Sequence, residues 1–120
     1  MKTVIITGAG IGIGKAAALA FGKAGYRVIV TDILKDEGNA VVDAITSTGG
    51  TAEFHHLDVT STENANQVVA AVEKAHGAID TIVCNAGIAH KVPLDQMTDE
   101  KWDFTFDVDL KGCSGLFVRR

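Results

Sequence analysis

A glycine-rich stretch near the amino end constrains the fold more than any other part of the sequence. Residues 7–14 read TGAGIGIG and lie between a short apolar run and an alanine-rich segment with helical periodicity. A strand, a glycine loop and a helix in this order create an anion site, because the first N–H groups of a helix lack partners and its dipole is positive there. The stretch therefore predicts a strand–loop–helix unit that binds a phosphate at the start of the helix.

The glycine spacing differs from the common dinucleotide fingerprint. G-x-G-x-x-G counted from Gly8 would need a glycine where Ile13 stands, and the pattern present is T-G-x-x-x-G-x-G. We expect Gly8 to turn the chain with positive φ, Gly12 to let a diphosphate approach the backbone, and Gly14 to bring helix and strand close together. A turn that binds no ligand also needs glycines, but the flanking strand and helix make it the less favoured alternative.

Strands and helices alternate along the chain. Apolar runs predict strands over residues 2–7, 27–31, 51–57 and 79–84, with the less apolar 51–57 near an edge of the sheet. A longer loop with Pro93 follows, and a further helix is expected from Thr98 toward Leu116. The alternation requires right-handed crossovers, so it predicts an α/β fold of the Rossmann type: a doubly wound parallel sheet in three layers, α/β/α.

Apolar residues recur at helical spacing between the strands, and a capping box at residues 60–63 marks one helix start. The predicted inner faces are Ile13, Ala16, Ala17, Ala20, Phe21 and Ala24 on the first helix, Leu34, Gly38, Val41, Val42 and Ile45 on the second, and Ala65, Val68, Val69, Val72 and Ala75 on the third.

Charge and composition exclude several classes of function. Eleven Lys and Arg against 15 Asp and Glu leave a net charge of −4, and without a basic cluster this argues against nucleic acid or an anionic membrane as partner. No apolar run approaches the roughly 20 residues of a membrane span. The sequence enters a strand at once, so we expect no signal peptide and a cytoplasmic protein. The adjacent His55 and His56 point to opposite faces of a strand, so no metal site is expected.

Polar residues follow three of the predicted strands. Asp32 could accept both ribose hydroxyls of an adenosine and repel a 2′-phosphate, which favours NAD over NADP; alternatively it caps the next helix. Asp58 could accept a hydrogen bond from an adenine amino group or serve as a turn residue. Asn85 could support the ligand crevice, and Asn-x-Gly is also an ordinary turn.

Together these positions resemble the short-chain dehydrogenase/reductase family over the whole chain. The resemblance depends on TGAGIGIG, Asp32, Asp58-Val59, Asn85-Ala86-Gly87 and the segment at 107–112, DVDLKG. It implies a hydride transfer between NAD(H) and a ketone or secondary alcohol, with tetramers built through the helix near Thr98. The cofactor-binding residues that we expect on this basis are Gly8, Gly10, Ile11, Gly12, Ile13, Asp32, Ile33, Asp58, Val59, Asn85, Ala86 and Gly87.

The catalytic part of the family pattern is incomplete in this chain. The family's catalytic Asn corresponds to Asp109, and its Ser and Tyr-x-x-x-Lys lie further along than Arg120. We therefore expect a single domain over residues 1–120 that is the cofactor-binding half of such an enzyme, with the sheet truncated after about four strands and the chain inactive alone. A non-catalytic NAD-binding or regulatory module is the alternative. A methyltransferase that uses S-adenosylmethionine is a third, against which the Thr7-Gly8 opening and Asn85-Ala86-Gly87 argue.

Overall fold

The computed structural model describes residues 1–86, which form four strands and three helices. In chain order these are β1 (Thr3–Ile6), α1 (Gly12–Lys23), β2 (Arg27–Asp32), α2 (Lys35–Ser47), β3 (Thr51–His56), α3 (Thr62–His76) and β4 (Thr81–Val83). Gly87, the loop with Pro93, Asp109 and the helix expected after Thr98 lie outside the described residues. None of the three described helices is long and apolar enough to cross a membrane.

The four strands form one parallel sheet in the order β3-β2-β1-β4. Strand β1 pairs with β2 on one side, where Val4 lies opposite Val28, and with β4 on the other, where Ile5 lies opposite Ile82. Strand order reverses at β1, because the chain moves outward to β3 before it returns to β4. This confirms the doubly wound sheet, and it places the carboxyl ends of β1 and β4 side by side, where ligands bind in open α/β sheets.

Helices cover both faces of the sheet, which confirms the three layers. Ile5 and Ile29 point to one face and pack with the apolar side of α3. Val4, Ile6 and their neighbours on β2 point to the other face and pack with α1 and α2. Because alternate residues serve opposite faces, both sets must be apolar, and the middle residues of β1 and β2 are fully buried.

The predicted inner face of α1 is right only in part. Ala17 and Phe21 pack against the core as predicted. Ile13 is 80% exposed, and Ala16, Ala20 and Ala24 are exposed as well, whereas Gly14 and Ala18 are buried. Hydrophobicity misled the prediction here, because the side that approaches the sheet most closely carries a glycine in place of a large apolar residue. Contact distance, not side-chain size, decides which face of this helix is inside.

The other two helices follow the sequence pattern more closely. Gly38, Val41 and Ile45 are buried on α2, and Ala65, Val68, Val69 and Val72 on α3, as predicted, although Leu34 and Ala75 are exposed. The cap of α3 lies one residue later than the box at Thr60 and Glu63 indicates. Ser61 is the N-cap, and its hydroxyl accepts a hydrogen bond from the Asn64 N–H at 3.1 Å.

Candidate functional site

The loop between β1 and α1 turns at Gly8. Its φ of +62° lies in the left-handed region, as predicted for a glycine at this position. A Cβ placed on Gly8 would come within 2.9 Å of the Cα of Ala86, so the loop and the segment after β4 are in backbone contact. A larger residue at position 8 would therefore be excluded by both conformation and space.

The start of α1 is open. Its N-cap residue, Ile11, makes no side-chain capping bond, and the first turn of the helix carries no acidic residue. Gly12 has a φ of +59°, and a Cβ there would meet nothing within 4 Å. The first N–H groups of this helix are thus available to an anion that lies against Gly12.

Gly14 lies on the buried side of the same helix. A Cβ on Gly14 would overlap the carbonyl oxygen of Gly8 and come within 2.5 Å of Nδ2 of Asn85. Only a glycine permits this approach, which confirms the predicted close packing of helix and strand. The packing holds the helix start at the carboxyl end of β1, where the loop turns.

Asp32 lies at the carboxyl end of β2 and is only 7% exposed. Its Oδ2 accepts a hydrogen bond from the Gly10 N–H at 2.8 Å, and its Oδ1 accepts one from the Leu34 N–H at 3.0 Å. The residue at the N-cap of α2 is Leu34, so the capping alternative for Asp32 is wrong. The carboxylate instead joins the glycine loop to the start of the β2–α2 connection.

Thr7 joins the glycine loop to the segment after β4. Its buried Oγ1 accepts hydrogen bonds from the N–H groups of Asn85 and Ala86, at 2.9 and 3.0 Å. Nδ2 of Asn85 donates in return to the carbonyl oxygen of Gly8 at 3.2 Å. The sequence pattern by itself predicts no role for the Thr7 side chain; a hydroxyl at the end of an otherwise apolar strand is the signal that could have indicated one.

Asp58 follows β3 and acts as a turn residue. Its Oδ1 accepts hydrogen bonds from the hydroxyl and the N–H of Thr60, at 2.6 and 3.0 Å. The Thr60 hydroxyl, and then its N–H, hold the pKa of the Asp58 carboxyl below its usual 3.8. Val59 packs partly buried against the cluster beneath α3. The structure thus shows the turn alternative, and an adenine contact stays a prediction.

The structure brings most of the predicted site residues together at the carboxyl ends of the strands. The glycine loop, Asp32 and the segment after β4 are linked by direct contacts, and Ile33 is 59% exposed beside them. Asp58 and Val59 follow the carboxyl end of β3, the strand beside β2. Gly87 and Asp109 lie outside the described residues.

A second polar cluster lies away from these loops, between β3 and the end of α3. The two carboxylate oxygens of Glu53 meet Nε2 of His55, at 2.6 Å, and Nε2 of His76. Burial of Glu53 raises its pKa, but the hydrogen bonds and charges of the two imidazoles outweigh this and lower it from 4.5. Within residues 1–86, no three His, Cys, Asp or Glu side chains are arranged to hold a metal ion.

Comparison with known proteins agrees with this geometry. The family model described as short chain dehydrogenase matches residues 2–117. The chain belongs to the short-chain dehydrogenase family. The resemblance seen in the sequence is thereby confirmed, and the Rossmann-type sheet is the fold of this family.

Two curated family members illustrate the range of relatives. A 3-oxoacyl-[acyl-carrier-protein] reductase of Thermotoga maritima is 39% identical over 92% of this chain and 45% of its own length. A galactitol 2-dehydrogenase of Agrobacterium fabrum is 40% identical over 92% of this chain and 42% of its own length. The chain therefore spans less than half the length of these relatives.

Solved structures of the family match equally well. A metagenomic short-chain oxidoreductase in complex with NADP superposes with a TM-score of 0.94 at 34% identity, over 98% of this chain and 54% of the other. A hydroxysteroid dehydrogenase from Escherichia coli gives a TM-score of 0.93 at 34% identity, over 98% of this chain and 50% of the other. The chain therefore covers about half of each of these structures, and residues 1–86, the part of the chain that is described, contain four strands of the sheet.

Proposed function

We propose that this chain is the cofactor-binding part of an oxidoreductase that uses NAD(H) and acts on a small ketone or secondary alcohol. The observation that supports this best is the uncapped start of α1, where Gly12 leaves an open face within one loop of the buried Asp32 carboxylate. An anion site and a ribose acceptor at neighbouring strand ends suit the two halves of a dinucleotide.

The chain's own residues bind and orient the cofactor in this proposal. The first N–H groups of α1 hold the diphosphate, and the exposed Ile11 and Ile13 flank it with apolar surface. When bound, the nicotinamide supplies or takes up the hydride. Asn85 and Ala86 hold the loop from behind, while Gly87 extends this support and Asp58-Val59 contact the adenine. Asp109 takes the place of the family's catalytic Asn.

Asp32 favours NAD over NADP. Two of the roughly four acceptor positions of a carboxylate are used by Gly10 and Leu34, so two are left for ribose hydroxyls. A 2′-phosphate would instead meet this buried negative charge, which repels it. The nearby Lys35 opposes this preference with a single exposed charge.

The remaining parts of the proposal concern the whole molecule. Residues 1–120 act as one domain, the amino-terminal half of a longer catalytic unit in the cytoplasm that assembles as a homo-oligomer, a tetramer at full length. Native mass spectrometry of the longer protein tests the assembly, and a monomeric species would contradict it.

Calorimetric titration with NADH tests the central proposal. We expect binding to the unmodified chain and its loss in Gly12→Leu, because the new side chain fills the open face. Gly25→Leu is the matched control, since Gly25 also has a positive φ of +88° and open space, but lies at the opposite edge of the sheet. No binding to the unmodified chain, or equal binding to both variants, would overturn the proposal.

A further inference from the structure

Asp32 makes contacts that a ribose-binding residue alone does not require. Its carboxylate accepts the N–H of Gly10, a residue 22 positions earlier, through a buried hydrogen bond of 2.8 Å. Gly10 lies in the middle of the loop whose shape sets the start of α1. A buried hydrogen bond to a charged acceptor is among the stronger bonds of a protein, because neither partner can exchange it for water.

A backbone hydrogen bond also joins this loop to β2. The Ala9 N–H donates to the carbonyl oxygen of Thr31 at 3.0 Å, beyond the last paired residues of the two strands, Ile6 and Val30. The next N–H along the loop, that of Gly10, has no strand carbonyl and is held by the Asp32 side chain. The Asp32 bond is therefore the point at which the loop leaves the sheet and turns toward α1.

The space around Gly10 fits such a fixed loop. A Cβ on Gly10 would come within 2.8 Å of Oδ2 of Asp32 and 3.2 Å of Cβ of Glu37. The loop backbone is thus seated against the β2–α2 connection, with the carboxylate as its polar contact. The second oxygen of Asp32 accepts the Leu34 N–H, so one carboxylate holds two backbone segments together.

We propose that Asp32 is a positioning residue for the diphosphate site, in addition to any contact with the ribose. By holding Gly10, it fixes the backbone that leads to the open N–H groups of α1. This rests on the proposed function, and it makes a different claim: removing the carboxylate weakens binding even of a dinucleotide that has no ribose hydroxyls for it to hold.

A comparison of two ligands on three proteins separates the roles. NADH and its 2′,3′-dideoxyadenosine analogue are titrated calorimetrically into the unmodified chain, Asp32→Ala and Asp36→Ala. Asp36 is exposed on the first turn of α2, so its variant controls for the lost charge. We expect Asp32→Ala to weaken binding of the analogue by roughly tenfold, the scale of one buried charged hydrogen bond, and Asp36→Ala to leave it nearly unchanged.

The opposite result is equally clear. If Asp32→Ala weakens NADH but binds the analogue as the unmodified chain does, Asp32 serves the ribose only and the positioning role is wrong, while the proposed function stands. If the unmodified chain binds neither ligand, the proposed function fails, and amide exchange decides the positioning role in the ligand-free protein. Faster exchange of the Gly10 amide by NMR in Asp32→Ala then supports it, and unchanged exchange overturns it.

A second variant guards against loss of folding. Asp32→Asn keeps the size of the side chain but replaces one acceptor oxygen with a donor, so it can hold Gly10 or Leu34 but not both. If Asp32→Ala does not give a cooperative unfolding transition, Asp32→Asn is used in the same titrations and the same exchange measurement. The same two outcomes, weakened or unchanged binding of the analogue, support or overturn the proposal.

Discussion

The hydroxyl of Thr7 accepts the N–H groups of two successive residues, Asn85 and Ala86, that lie 78 and 79 positions away in the sequence. This oxygen holds the end of β1 and the segment after β4 in register. The side chain of Asn85 also donates a hydrogen bond to the carbonyl oxygen of Gly8. The glycine loop is therefore held by the segment after β4 as well as by β2. The loop is thus placed by contacts between distant parts of the chain.

Replacing Thr7 with Val tests this relationship. Valine keeps the shape but removes the acceptor, so two N–H groups lose their partner in a partly buried place, and the free energy of unfolding should fall by about 1–3 kcal/mol. Thr7→Ser keeps the oxygen and should lose less. Urea unfolding measures both, with Thr46→Val on the exposed side of α2 as control, where the change should stay within about 0.5 kcal/mol. Equal stability of Thr7→Val and the unmodified chain would contradict the role.

Gly14 and Gly22 should differ in their tolerance of alanine. Both lie within α1, where alanine favours the helix by about 1 kcal/mol. At Gly14 the added Cβ meets the backbone of Gly8, which cannot move without distorting the loop, whereas at Gly22 it meets a methyl of Ile45 at 2.9 Å that can shift. We expect Gly14→Ala to cost about 1–3 kcal/mol and to weaken NADH binding, and Gly22→Ala to cost less. Thermal unfolding and calorimetry check both, and the reverse order would refute the packing argument.

Local sequence patterns predicted the architecture because each strand and each helix is specified by a short stretch of sequence. The continuous apolar runs of β1 and β2 indicate strands buried on both faces, and Gly38, Val41 and Ile45 show the inner side of α2 by their spacing. The doubly wound parallel sheet follows from the alternation of strands and helices together with the handedness of crossovers.

The details of the site depend on distances that a linear pattern does not contain. The side chain of Thr7 gains its role only when β1 and β4 pair, and Asp32 meets Gly10 only when the loop folds back on β2. On α1, a run of alanines gives several faces of similar hydrophobicity, so the burial of Gly14 was decided by packing against Gly8. The sequence pattern therefore predicts residues that lie together at the strand ends, but it does not contain the contacts that join them there.

The choice between the two nicotinamide cofactors should depend on Asp32. The negative carboxylate repels a 2′-phosphate, so we expect the unmodified chain to bind NADH roughly tenfold or more tightly than NADPH. In Asp32→Ser the ratio of the two affinities should approach one, because the charge that repels the 2′-phosphate is gone. Both affinities should also fall as the loop is disturbed, but this common effect cancels in the ratio. Calorimetry at low and high salt measures the ratio, with Asp36→Ser as control. A chain that prefers NADPH would contradict this argument.

The Glu53 cluster should make stability depend on acid pH. Since His55 and His76 lower the pKa of Glu53 in the folded chain, its stabilising effect is present above the pKa of the unfolded chain, near 4.5, and is lost as the pH falls through the lower folded value. Glu53→Gln should therefore be less stable at pH 7, by below about 1 kcal/mol because the carboxylate is largely screened by solvent. The difference should shrink as the pH falls below 4.5. Urea unfolding over this range measures it, with Glu73→Gln on the exposed side of α3 as control. A difference that grows on acidification would show that the imidazoles do not hold this carboxylate in its charged form.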